Sequence, residues 1–523
     1  MPTVATALLA VGADDAVALV DGAHRVTYAQ IRAGVAAQTQ RLRGLGLAPG
    51  TPVAVIGGNS AAWVCAYLGI IAAGHVAVPL STDLLPRQLE EALAAVGATV
   101  LYADARPARA LSGVAGRTVL PLVPGSAGDA APVVDAGYAG AGDAGAGDLA
   151  PEATPAPGPH PAPGPHPDDD AVYLLTSGST AAPKVVRLTH RNIEANTSSI
   201  LGYLPIDATD RMLVVLPFCY TFGASLLHTH LAAGATLVLC RTFAYPETAV
   251  DLLEAEECTA LAGVPSIYQT LLRTTSFPRR HLPHLRHLQQ AGGKLPARQV
   301  TELAAAHGHA KLFVMYGQTE GTARLSHLPP DELGRRPGSI GRGIPGVTLR
   351  VAREDGRDVA PGEVGEIRAR GANVSPGYLG DPQATAATFV DGELRTGDLA
   401  TVDDEGFVYV VDRSAAFIKT LGHRVAAGEV EEAALGHPDL VSAVAVGVPD
   451  ATLGEAVVLV ATRRPGTDVT EDDVRAQCRR ELPRWAVPRD VLLVDRIPLS
   501  AHGKTDRPAV RALVAEHLTA PDA

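Results

Sequence analysis

Short apolar runs with strand character alternate with helix-length segments from near the start of the chain, and that alternation limits the fold more than any other feature. Residues 27–45 read as a helix, with Thr27 placed to cap the first turn and Gly46 to stop the last. Residues 52–56 read as a strand, 61–73 as a helix, 76–80 as a strand, 86–96 as a helix and 99–102 as a strand. Strands that each hand over to a helix build largely parallel sheets covered by helices, an α/β architecture. At 523 residues the chain exceeds what one hydrophobic core usually organises, so two or more lobes are expected.

Between about residue 124 and residue 170 the composition turns to Ala, Gly, Pro and Asp. Pro-Ala-Pro-Gly-Pro-His occurs at 155–160 and repeats at 161–166. Such a stretch buries too little apolar surface to order itself and reads as a flexible surface insertion; its repeated histidines follow from low complexity rather than from a metal site. A strand at 171–175 comes next, and α/β signals continue to about residue 411. Past a boundary near Asp412, helices at 429–435 and 471–482 and strands at 441–448 and 456–461 form another small α/β unit. Residues 61–80 carry no formal charge, but Gly74, His75 and Pro79 break them, and 61–73 falls short of the ~20 residues of a spanning helix. No membrane span is expected there. A net charge of −12 argues against nucleic-acid binding. Five cysteines without a CxxC pair, and no Lys or Arg before Arg25 to start a signal peptide, suit a reducing cytoplasm.

Four segments carry chemistry. In Leu175-Thr-Ser-Gly-Ser-Thr-Ala-Ala-Pro-Lys184, the hydroxyls of Thr176, Ser177, Ser179 and Thr180, with Gly178 and Lys184, follow a buried strand. That loop offers hydroxyl, backbone and ammonium donors to phosphate oxygens, although a plain turn would look similar. In Met315-Tyr-Gly-Gln-Thr-Glu320, after a strand at 311–314, Glu320 is placed to hold Mg²⁺ and Tyr316 to stack on a base; a helix start capped by Thr319 is the alternative. Leu394-Arg-Thr-Gly-Asp398 and Arg413 supply a carboxylate for ribose hydroxyls and a guanidinium for ribose or phosphate, or else a hairpin with an ion pair. Lys504 lies on a glycine-containing loop near the end of the chain.

Taken in this order, the four segments resemble the superfamily of adenylate-forming enzymes that includes acyl-CoA synthetases, nonribosomal peptide synthetase adenylation domains and firefly luciferase. The resemblance runs from about Thr27 to Arg507 and extends to Ala291-Gly292-Gly293 and Gly338-Ser-Ile-Gly341. It implies an α/β fold: a large N-terminal domain of layered sheets and helices (1–411) and a small mobile α+β C-terminal domain (412–523). It also implies ATP-dependent conversion of a carboxylic acid to an acyl-adenylate, then transfer to a thiol of coenzyme A or phosphopantetheine. By similarity, Thr176, Ser177, Gly178, Ser179, Thr180 and Lys184 form the phosphate loop. Gly292, Gly293, Tyr316 and Gly317 lie at the nucleotide, with Tyr316 on adenine. Thr319 meets the α-phosphate, Glu320 holds Mg²⁺, Asp398 binds ribose with help from Arg413, and Lys504 bridges acid and α-phosphate. Lys419, Gly422 and His423 belong to the loop that serves thiol transfer. Ala181 and Val185 stand where the family usually has glycine, and Ser414-Ala415-Ala416 where it usually has a charged hinge.

Amino-acid-activating members place an Asp near the start of the helix at 226–231; here Leu216-Pro-Phe-Cys-Tyr-Thr-Phe-Gly-Ala-Ser225 holds no carboxylate, and Thr221 falls about there. A buried ammonium without a partner is costly, which disfavours an ordinary α-amino acid. Cys219, Tyr220, Phe222 and Gly223 are the candidate acid pocket. The thiol is expected in trans, from coenzyme A or a separate carrier protein. A stand-alone amino-acid or β-amino-acid adenylating enzyme, and an ATP-binding relative without turnover, are the alternatives.

Overall fold

The protein is described from a computed structural model covering residues 3–105, 107, 117–122, 165–176, 184–413, 417–450, 452–500 and 504–519. The early alternation is realised almost residue for residue. Thr27 caps the helix Tyr28–Gly44 through a reciprocal capping box with Gln30, satisfying two N–H groups that the first turn leaves open. Pro52–Ile56, Val76–Leu80 and Val100–Ala103 are strands, and Ala61–Ala72 and Pro86–Val96 are helices. The uncharged stretch is a buried helix feeding a buried strand, and among the described residues no helix is long and apolar enough to cross a membrane.

Among the described residues, these strands join a six-stranded sheet, parallel apart from its final hairpin, Asp170–Thr176 with Lys184–Thr189. A second, nine-stranded sheet has a parallel centre built from Lys311–Tyr316, His287–Gln290, Ala260–Gly263, Arg211–Val214 and Thr236–Leu239. Helices lie against both, and one continuous apolar core fills the layers. An antiparallel five-stranded sheet follows, formed by Val347–Ala352, Gly365–Gly371, Phe389–Val390, Glu393–Val402 and Val408–Arg413. The smaller C-terminal domain is α+β. Its five strands, centred on the long pair Leu440–Asp450 and Gly454–Arg463, bury Ile418, Val430, Leu459 and Val474 on one face and Val446, Val458, Val510 and Val514 on the other.

Two local expectations are corrected. The Pro/Gly-rich insertion does not reach residue 170: a turn at 167–169 is fastened by Asp168 to Arg191, and Asp170 opens a strand and pairs with Arg187 at 2.9 Å. Residues 124–164 lie outside the described residues. The segment after Tyr316 does not start an α-helix; it makes one short 3₁₀ turn, Thr319–Gly321, with no side-chain cap, and Thr322 ends it at φ 66°.

Candidate functional site

The site is assembled where both large sheets and the antiparallel sheet meet. The strand Lys311–Tyr316 delivers Tyr316 at its end, and Gly317 follows in a position so close that a Cβ would overlap the carbonyl oxygen of Ala323. Gly317 is therefore required by backbone approach. Tyr316 donates its hydroxyl hydrogen to Asp398 Oδ2 at 2.6 Å, joining the two residues expected at adenine and ribose. Asp398 is buried and stands opposite Arg413 in the antiparallel register.

Glu320 accepts a hydrogen bond from the Tyr378 hydroxyl at 2.8 Å. Tyr378 is fixed by backbone bonds to the strand Lys184–Thr189: Leu379 N–H donates to Val185 at 2.8 Å and Arg187 N–H to Gly377 at 3.1 Å. The Lys184 ammonium lies 4.8 Å from the centre of the Tyr378 ring, a cation–π distance. Burial, with Glu320 next in effect, pushes the Tyr378 hydroxyl's pKa upward, so it stays a proton donor. Thr176 and Lys184 face each other across the base of their hairpin. Ser177, Gly178, Ser179 and Thr180 lie outside the described residues. Val185, at a usual glycine position, is a buried strand residue packed with Tyr173 and Val78. Gln318, Glu320, Tyr378, Thr396 and Gly397 line a cleft of about 340 Å³. The donor set suits Mg²⁺, which is commonly held by one or two carboxylates together with phosphate oxygens: Glu320 lines the cleft held by Tyr378, and Glu366 lines it paired with Arg395.

The C-terminal domain docks onto the segment carrying the paired glycines. Arg298 donates to the Gly436 carbonyl at 2.9 Å, and Lys294 pairs with Glu432 at 3.7 Å. Gly292 adopts φ +85°; a Cβ there would stand 2.8 Å from Val264 Cγ1 and 3.4 Å from Lys504 Cε. Lys504, from the last loop of the chain, is thus carried to the glycine pair at the heart of the site. Gly293 accepts from Gln290 at 2.9 Å. Lys419, Gly422 and His423 are not brought there: their hairpin bonds to Glu455 and Leu453, and His423 stacks on Trp485 at 4.4 Å.

Residues 9–379 match the family described as AMP-binding enzyme, and residues 429–504 match its C-terminal domain. The chain belongs to the AMP-binding enzyme family. Among its relatives, feruloyl-CoA synthase of an Amycolatopsis species is 32% identical over 500 residues, 95% of each chain. Oxalate–CoA ligase of Arabidopsis thaliana is 32% identical over 355 residues, 67% of this chain and 68% of that one. The crystal structure of ATP-bound MatB from Rhodopseudomonas palustris superposes with a TM-score of 0.83 at 26% identity, covering 99% of both chains. The recognition of an adenylate-forming enzyme and the two-domain architecture are both borne out.

As in the sequence reading of this AMP-binding enzyme, no carboxylate lies on the helix Thr221–Ala232. Cys219 and Phe222 are buried; burial pushes the Cys219 thiol up to about 12, which rules it out as a thiolate near neutral pH. Gly223 allows the tight turn onto Pro217, whose carbonyl oxygen leaves no room for a Cβ. Sequence reasoning missed Tyr378 and Arg324. Tyr378 has no motif chemistry of its own, and only the strand bonds on either side of it reveal its role. Arg324 lies between Ala323 and Leu325, both buried, and only the packing sets it apart from other arginines.

Proposed function

We propose that the chain uses ATP to activate a carboxylic acid as an acyl-adenylate and then passes the acyl group to a thiol, with coenzyme A the favoured acceptor. The observation that carries this reading is the position of Lys504 over Gly292, in the same site as the Tyr316–Asp398 and Glu320–Tyr378 pairs. A carboxylate oxygen attacks the α-phosphorus, the bond to the β-phosphate bridging oxygen breaks, and pyrophosphate leaves. Both reactants are anions, so charge must be neutralised as they approach. The Lys504 ammonium supplies that where the new bond forms, and Lys184 faces the departing phosphates. Tyr316 and Asp398 hold the nucleoside, and Tyr378 orients Glu320. Bound Mg²⁺ would add Lewis-acid polarisation of the phosphates from Glu320. The second step needs the C-terminal domain to turn its 417–426 hairpin inward, replacing Lys504 with the acceptor side.

Kinship leaves the acid open, since the relatives' names include both ferulate and oxalate. Coenzyme A in those names supports the acceptor. The reading is tested by product analysis: chain, ATP, Mg²⁺ and an acid panel, with coenzyme A or a phosphopantetheinylated carrier protein. AMP, pyrophosphate and acyl-coenzyme A in equal amounts are expected; ADP, or thioester formed on the carrier alone, would contradict it.

A further inference from the structure

Arg324 is 2% exposed, yet among the described residues no carboxylate pairs with it. Its guanidinium lies over the Phe222 ring, with Cζ 4.0 Å from the ring centre, and its Nε–H reaches Met315 Sδ at 3.4 Å. The Tyr203 hydroxyl is the polar group beside it. That neutral hydroxyl is the hydrogen-bond partner beside the guanidinium, and it carries no charge to balance the cation. Desolvation draws its pKa down to about 10, low for a guanidinium.

A buried cation without a counter-ion is expensive, and a chain keeps one where a ligand completes the pair. Here the location says which ligand. Phe222 lies in the first turn of the helix Thr221–Ala232 at the candidate acid pocket, and Arg324 Cα packs 2.8 Å from where a Cβ on Gly317 would sit, directly behind the segment expected at the nucleotide. The planar fork of donors matches a carboxylate.

We propose that Arg324 is the counter-ion for a second carboxylate on the substrate, so the acid is dicarboxylic: one end is activated while the other pairs with the guanidinium above Phe222. This rests on the adenylation reading for the fate of the first carboxylate. The same cation repels a substrate ammonium, which joins the carboxylate-free helix in excluding α-amino acids.

The test uses the full chain with a non-hydrolysable ATP analogue for binding and ATP–pyrophosphate exchange for turnover. Oxalate, malonate, succinate, glutarate and terephthalate are each compared with their monoamides, which keep size and lose one charge. A dicarboxylate should bind and exchange at least ~30-fold better than its monoamide, the fold-change of stranding one partner of a buried charge pair. Arg324→Gln should erase that preference while leaving ATP-analogue affinity unchanged, which reports a folded site; Arg324→Lys should restore part of it. Monoamides used as well as diacids, or a preference that survives Arg324→Gln, overturns the proposal and leaves adenylation standing. A sulfo-acid preferred over every diacid overturns the carboxylate assignment. Arg324-dependent diacid binding without exchange upholds the proposal and overturns the adenylation reading.

Discussion

The Tyr316 hydroxyl donates to Asp398 Oδ2 across 2.6 Å, joining residues 82 positions apart in the chain. One comes from the parallel core of the large sheet and the other from the antiparallel sheet, so the bond registers two layers where the nucleoside is expected to lie. A hydrogen bond to a charged acceptor is worth about 1.5–3 kcal/mol.

Tyr316→Phe keeps the aromatic face and removes this bond. It should raise the KM for ATP ~10-fold with kcat little changed, as for lost uniform binding. Asp398→Ala removes the ribose partner as well and should weaken ATP binding further. Steady-state kinetics with varied ATP check both.

Tyr378→Phe frees Glu320 from its 2.8 Å donor while keeping the ring beneath Lys184. Expected is a higher Mg²⁺ requirement and a ~10-fold drop in kcat/KM, the scale of losing a partner that orients a metal ligand. Mg²⁺ titration of initial rates measures it.

Gly292→Ala introduces a Cβ at φ +85°, 2.8 Å from Val264 and 3.4 Å from Lys504. Strain of ~1–3 kcal/mol is expected at a position that side chains rarely adopt. Adenylation should fall while thioester formation from supplied acyl-adenylate is less affected, because only the first step uses Lys504. Single-turnover assays of each half-reaction separate the two.

The sequence carried the layered fold because hydrophobic periodicity and caps such as Thr27–Gln30 are local. It also carried the residue types expected at the nucleotide, since Tyr316, Glu320, Asp398 and Lys504 sit in segments of recognisable order. It could not carry their pairing: Glu320 with Tyr378 depends on strand bonds 58 positions away. Arg324 looked like any arginine until packing showed it buried against Phe222 without an acid. Val185 shows the converse: it stands where the family usually has glycine, and the structure uses it as core.

His228 and His230 are buried near the candidate acid pocket, and burial lowers both to about 4 from an ordinary 6.5. Below pH 6.5 the unfolded chain binds protons that the folded one refuses until about pH 4, so stability should fall as pH drops through that window. Each histidine contributes up to about 1.4 kcal/mol per pH unit. His228→Gln, which can still meet the Tyr67 hydroxyl, should flatten the acid side of a melting-temperature profile.

The central claim is acid activation at a site completed by Lys504. Acid-dependent exchange of labelled pyrophosphate into ATP tests it most directly, with the parent chain and Lys504→Ala side by side. The account predicts exchange with at least one acid and a loss of ~10²–10³-fold in the variant, the scale for removing one charge-stabilising donor. Undiminished exchange by Lys504→Ala, or no exchange with any acid from a folded chain that binds ATP, would contradict it.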